Sequence, residues 1–218
     1  MIKDYANIRI ADFTYDLPPE RIAKYPLPER DSSRLLVWDG HDISDRVFRE
    51  LPLLADRDAV MVFNNTKVIR ARLIFLKESG AMIEVFCLEP HMPAEFSANL
   101  ASGGPVEWKC LIGNLKRWKK GVLESRFVHS GREYILTAER IQTAGDAFIV
   151  RFTWNETHIS FADLLEIMGH MPIPPYLGRD DEESDKSAYQ TTYARISGSV
   201  AAPTAGLHFT PSVMKALE

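Results

Sequence analysis

Six short apolar segments follow one another between residues 69 and 154, and they constrain the fold more than any other feature of the chain. They cover residues 69–76, 82–88, 106–112, 122–128, 133–137 and 147–154. Ser79-Gly80, Lys119-Lys120-Gly121, Ser130-Gly131 and Gly145-Asp146 separate several of them with residues suited to tight turns between strands. Six strands at this spacing predict a small antiparallel β-barrel. Residues 90–105 break the rhythm and are expected to loop out.

The flanks differ. Asp16 as N-cap, with Pro18 and Pro19 in a first turn, predicts a short helix over residues 20–24. Residues 34–38 predict a strand ending at Asp39-Gly40, and residues 59–63 form a continuous apolar run of the kind buried in sheets. Asn64, Asn65 and Thr66 come directly after that run, where open α/β sheets bind ligands. Ser160 with Asp163 gives an Asp variant of the capping box, and Phe161, Leu164, Leu165 and Met168 repeat at helical spacing before Gly169. The fold class expected is therefore α/β and multi-domain: an α/β domain in residues 1–68 and 155–218, interrupted by the barrel in residues 69–154.

From Met168 to Thr210 the chain changes character four times. Met171-Pro172-Ile173-Pro174-Pro175-Tyr176 forces an extended strut, because each proline fixes its own φ and pushes the preceding residue out of the helical region. An acidic run holds Asp180, Asp181, Glu182, Glu183 and Asp185, and Tyr189 and Tyr193, four apart, are expected to share one helix face. A loop of small residues then runs from Gly198 through Ala202, Pro203, Thr204, Ala205 and Gly206 to His208. Thr210-Pro211 opens a last helix, whose packing partner is expected beyond residue 218.

These residues resemble the central signature of the S-adenosylmethionine:tRNA ribosyltransferase-isomerases of queuosine biosynthesis. The resemblance extends to Tyr25-Pro26-Leu27, to residues 30–36 and to residues 64–73, so it brackets nearly the whole chain; residues 81–154 agree only in general pattern. Lys67 and Arg70 stand where the family more commonly has arginine and proline. The family continues well past this point, so the chain is expected to be the N-terminal portion of a longer protein, inactive alone.

The resemblance implies transfer and isomerisation of the ribosyl group of S-adenosylmethionine onto a 7-aminomethyl-7-deazaguanine at the tRNA wobble position, with release of adenine and methionine. Positive sulfur acidifies the neighbouring carbon and leaves readily. The protein then has to supply a base, an acid for the departing adenine, and orientation. His208 is the expected proton-transfer group, since imidazole titrates near working pH. Glu183 and Asp185, with Glu182, could stabilise a cation, and Tyr189 and Tyr193 are either core aromatics or stacking surfaces. Asn64, Asn65, Thr66, Tyr193 and the loop Ala202, Pro203, Thr204, Ala205, Gly206 are the expected substrate contacts, although that loop alone could equally be a plain turn.

Composition limits the rest. Of 218 residues 45% are hydrophobic and 26% charged, an ordinary globular balance. A net charge of −4 excludes a general basic coat, so RNA would meet local patches: Arg30, Arg34 and Arg72, or Lys116, Arg117, Lys119 and Lys120 around an aromatic at a hairpin tip. Cys87 and Cys110 lack metal spacing and read as buried thiols; no metal and no true cofactor is expected, S-adenosylmethionine being a co-substrate. Glycine motifs for dinucleotides or P-loops are absent, as are long apolar runs and signal-peptide layouts, which points to a cytoplasmic protein, expected to be a monomer. Two rival functions remain, a non-catalytic RNA-binding module and an S-adenosylmethionine-using enzyme acting on a small molecule.

Overall fold

The computed structural model describes residues 8–218; residues 1–7 of the expected first segment lie outside the described residues. Strands β1 (Arg34–Trp38) and β2 (Ile43–Val47) form an antiparallel hairpin, followed by the short helix α1 (Leu51–Leu54). β3 (Thr66–Val68) leads to β4 (Arg72–Leu76) and β5 (Met82–Met92), then α2 (Phe96–Leu100) and β6 (Val106–Gly113). β7 (Leu123–His129), β8 (Arg132–Ala144) and β9 (Ala147–Trp154) complete the strand-rich part. After it come α3 (Phe161–Met168), α4 (Asp185–Ala188), β10 (Ile196–Ser199) and α5 (Pro211–Leu217).

The expected barrel is present as a six-stranded antiparallel sheet ordered β4-β5-β6-β9-β8-β7, with its edge strands β4 and β7 in contact, so that it nearly closes. Alternation drives the closure. Ile83, Val85 and Cys87 on β5, Val106, Trp108 and Cys110 on β6, and Tyr134, Leu136 and Ala138 on β8 all point into one core, as a period of two requires. The core's buried indole is satisfied: Trp108 Nε1 donates to Asn99 Oδ1 at 2.7 Å, and Asn99 Nδ2 donates to the Pro93 carbonyl at 2.8 Å. Helix α3 packs onto it, and its Phe161, Leu164 and Leu165 join the same core, each contributing roughly 1.5–3 kcal/mol by burial. The Ser160 capping box starts this helix as expected, with both reciprocal bonds made. Gly169 follows because a side chain there would overlap the carbonyls of Arg70 and Leu165.

Outside the barrel several expectations fail for local reasons. Residues 20–24 form no α-helix: only a 3-10 turn, Pro19–Arg21, is made, and the position before it is Pro18, which has no side chain that could cap, rather than Asp16. Residues 59–63 run without a strand partner among the described residues, and Val60 and Val62 are about nine-tenths exposed rather than buried (90% and 91%). Besides the β1–β2 hairpin, the pairing that does form there is parallel and small: β10 lies beside β3. The first barrel strand, expected from residue 69, begins only at Arg72 as β4. β8 is far longer than expected, and residues 90–105 are not all loop, since β5 continues to Met92 and α2 follows. The last helix also has its partner within the chain: Val213 is buried against Phe48 and Phe209, and Thr210 caps the helix by accepting from the Val213 N–H at 3.3 Å.

Candidate active site

The proline strut is what places the site. Met171 and Ile173 are buried with Val68 and Leu177, and Tyr189 and Ala202 pack half-buried against this cluster. His170 joins strut to barrel, because its backbone exchanges hydrogen bonds with Arg72, His170 N donating at 2.8 Å. Beyond the strut, the acidic run folds around one cation that sequence reasoning passed over. Arg179 donates to both oxygens of Asp185, at 2.6 and 2.8 Å, while its guanidinium sits 4.5 Å from the centre of the Tyr25 ring and bonds the Lys24 carbonyl. These two hydrogen bonds, from a cation, hold the Asp185 carboxyl below the usual carboxylate range. Tyr25 in turn donates to Glu182 at 2.9 Å, which pushes its phenol up.

Asp185 is thus buried and engaged, whereas Glu183 is exposed and pairs only with Lys186. Tyr189 and Tyr193 do not share a helix face, since α4 stops at Ala188. The reason is Gln190, whose side-chain amide accepts from the Val68 N–H at 2.9 Å and donates to the Val68 carbonyl at 2.6 Å, tying the chain to β3. Tyr193 turns inward instead, edge-on to Phe63 with ring centres 5.1 Å apart, and burial pushes its phenol up, as it does that of Tyr189.

The small-residue loop forms a 3-10 turn, Thr204–His208. Gly206 in it is buried, and a side chain there would overlap the Tyr193 hydroxyl, so the close approach that this glycine permits is to the chain's own tyrosine. The neighbouring Thr191 hydroxyl is buried with no hydrogen bond of ordinary geometry among the described residues. His208 lies 3.2 Å through Nδ1 from the Arg30 carbonyl, with its ring against Phe48. Arg30 binds the motif together: its guanidinium donates to the carbonyls of Ser187, Gln190 and Leu207, so it is occupied by backbone rather than open to phosphate. Asn64 closes a turn by accepting from the Thr66 N–H and hydroxyl, and the Asn65 carbonyl accepts from Arg195 N at 2.7 Å. Asn65, the two tyrosines, the loop 202–206 and His208 are therefore linked through β3, β10 and Arg30, while Glu183 stands apart.

Among the basic candidates, Arg34 is exposed and pairs with the exposed Asp45 at 2.8 Å. Arg72 is held by Glu84 at 2.6 Å. Lys116, Arg117, Lys119 and Lys120 are all exposed, but they ride on the connection between β6 and β7 rather than a hairpin tip, and their aromatic is not available for stacking. Trp118 is fully buried in the barrel core, with Nε1 donating to the Gly121 carbonyl and Arg140 over its ring. A cleft of about 560 Å³, lined by Arg72, Glu84, His170, Arg179, Asp180 and Asp181 among others, opens between barrel and strut. No helix among the described residues is long and apolar enough to cross a membrane, and none of their His, Cys, Asp and Glu side chains cluster as a metal site.

The barrel, the proline strut and the small-residue loop all fall within the match to a single family. The family profile described as "Queuosine biosynthesis protein" matches residues 10–218, and the chain belongs to that family. It is 42% identical over 211 residues to the S-adenosylmethionine:tRNA ribosyltransferase-isomerase of Syntrophomonas wolfei, covering 95% of this chain and 54% of that protein. With the proteins of the same name from Desulfitobacterium hafniense and Trichlorobacter lovleyi it shares 41% and 38% identity, over 97% and 96% of this chain and 57% and 56% of theirs. The chain spans about half the length of these curated relatives. A crystal structure of S-adenosylmethionine tRNA ribosyltransferase from Thermotoga maritima is 27% identical, with 94% of this chain and 53% of that one covered and a TM-score of 0.30.

Proposed function

We propose that this chain serves an S-adenosylmethionine:tRNA ribosyltransferase-isomerase, which moves the ribosyl group of the sulfonium onto the deazaguanine of a tRNA and releases adenine and methionine. The observation that carries the reading is identity of about 40% to relatives of that name across nearly the whole of this chain, the proline strut and the small-residue loop included. In this reading the loop Ala202, Pro203, Thr204, Ala205, Gly206 and the ring of Tyr189 wall the nucleoside, and Asn64, Asn65 and Thr66 stand at its edge. His208 delivers a proton, its Nδ1–H fixed by the Arg30 carbonyl so that Nε2 is the reactive nitrogen. Glu183 is the open carboxylate and Asp185 the one that fixes Arg179. Arg34 with Lys116, Arg117, Lys119 and Lys120 meets tRNA phosphates.

The finer architecture belongs to the same reading: an α/β domain, residues 1–68 and 155–218, carries the barrel of residues 69–154 as an insertion. We place the enzyme in the cytoplasm as a monomer with no cofactor beyond its sulfonium co-substrate. Calorimetric titration of the full-length gene product tests this against its rivals. Binding of both S-adenosylmethionine and tRNA is expected; tRNA alone would favour an RNA-binding module, and the sulfonium alone a small-molecule enzyme.

A further inference from the structure

The cleft between barrel and strut holds an imidazole in an arrangement that the motif residues do not account for. His170 Nδ1 lies 2.8 Å from Asp181 Oδ1, and the other oxygen of Asp181 accepts from the Met171 N–H at 2.8 Å. Asp181 is thereby locked on both sides, and its side chain is only 16% exposed. A carboxylate fixed in this way sets the tautomer of its histidine: the proton sits on Nδ1 and the lone pair on Nε2. Nε2 makes no hydrogen bond to the described residues, and the ring is half exposed on the cleft wall. The ring's carrier is rigid as well, since the His170 backbone is paired with Arg72 of β4. Nucleophile–base and base–orienter systems use this pattern, a base positioned by a third group.

The charges of the cleft point the same way. Arg72 is matched by Glu84 and Arg179 by Asp185, which leaves Asp180 and Asp181 uncompensated beside His170. A cleft of about 560 Å³ with that surplus complements a nucleoside-sized ligand bearing a positive charge. We propose that this cleft takes the sulfonium end of the nucleoside, whose base lies toward the loop 202–206 across the cluster that Ile173 shares with Tyr189 and Ala202, and that His170, oriented by Asp181, is the general base of the reaction, an inference that rests on the function proposed above. The step is a heterolysis: a C–H bond beside the positive sulfur breaks, its electron pair stays on carbon, and the proton passes to His170 Nε2. Asp181 offsets the positive charge that the imidazole then carries. His208, with only a backbone carbonyl on Nδ1, is left to serve the departing adenine.

The test uses the full-length gene product with His170→Ala, His170→Gln and Asp181→Asn, S-adenosylmethionine as titrant, and adenine release from substrate tRNA as turnover. Expected for His170→Ala are S-adenosylmethionine affinity within about threefold of wild type and kcat lower by about 100-fold, the usual scale for a lost base. The acidic limb of the kcat profile should vanish and added imidazole should restore part of the rate. Asp181→Asn should fall between the two. If His170→Ala does not fold, His170→Gln, which keeps a hydrogen bond to Asp181 but cannot take the proton, carries the same comparison. Wild-type turnover with a variant within about threefold of it, or with the acidic limb retained, overturns the role of His170 alone. A wild type that neither binds S-adenosylmethionine nor releases adenine overturns the functional reading and this role with it.

Discussion

Replacing Asp185 by alanine removes one half of a buried ion pair and leaves the other half in place. The Asp185 side chain is 1% exposed and that of Arg179 10%, and the carboxylate also accepts from the Glu182 N–H at 2.8 Å. Deleting one partner of such a pair strands an uncompensated charge, which costs about 3–5 kcal/mol, whereas removing both partners leaves no orphan. For a protein of this size that corresponds to a fall in melting temperature of about 6–20 °C. Asp185→Ala combined with Arg179→Met should therefore be more stable than Asp185→Ala alone. The pH dependence has a definite sign. The folded carboxyl titrates below its unfolded value because Arg179 donates to it, so its contribution is complete above about pH 4–5 and is lost as pH falls through the depressed folded value. Urea unfolding of wild type and variant at neutral and acid pH measures both effects, and the gap between them should narrow toward low pH. A single-substitution cost under about 1 kcal/mol, or a double variant less stable than the single one, would refute the reasoning.

Further outcomes follow from the same contacts. Trp118→Ala should destabilise by about 3–5 kcal/mol in a urea melt, because the indole is fully buried in the barrel core. Neutralising Lys116, Arg117, Lys119 and Lys120 together should leave stability within about 0.5 kcal/mol per site but flatten the salt dependence of tRNA binding, read by titration at several salt concentrations. Gly206→Val should destabilise by about 1–3 kcal/mol because the Tyr193 hydroxyl stands where the side chain must go, and Tyr193→Phe should recover part of that loss. Ser160→Ala should cost about 1 kcal/mol through loss of the capping box on α3, again by urea unfolding.

What could be read from the sequence was whatever local chemistry determines. Alternation and turn residues located the barrel strands, and Ser160 with Asp163 located α3 to the residue. Long-range partners were not legible. Residues 59–63 have the composition of a buried strand but, among the described residues, no strand to pair with, and Tyr189 and Tyr193 were separated by a glutamine whose amide reaches Val68, far earlier in the chain. The site divides in the same way. Gly206 was read as a substrate contact, and the group that the structure brings against it is Tyr193, which no spacing rule predicts. Arg179 had a signal that went unused: an acidic run that ends in a buried aspartate calls for a cation, and one stands directly before it. His170 had one too, as the polar residue between a helix-ending glycine and a buried strut.

Mass spectrometry of the tRNA is the most direct check on the central claim. The full-length gene product, incubated with S-adenosylmethionine and tRNA carrying the aminomethyl-deazaguanine at the wobble position, should convert that base to its ribosyl-derived epoxycyclopentane product, with adenine released in equal amount. tRNA of unchanged mass, from a protein that binds both substrates, would contradict the account.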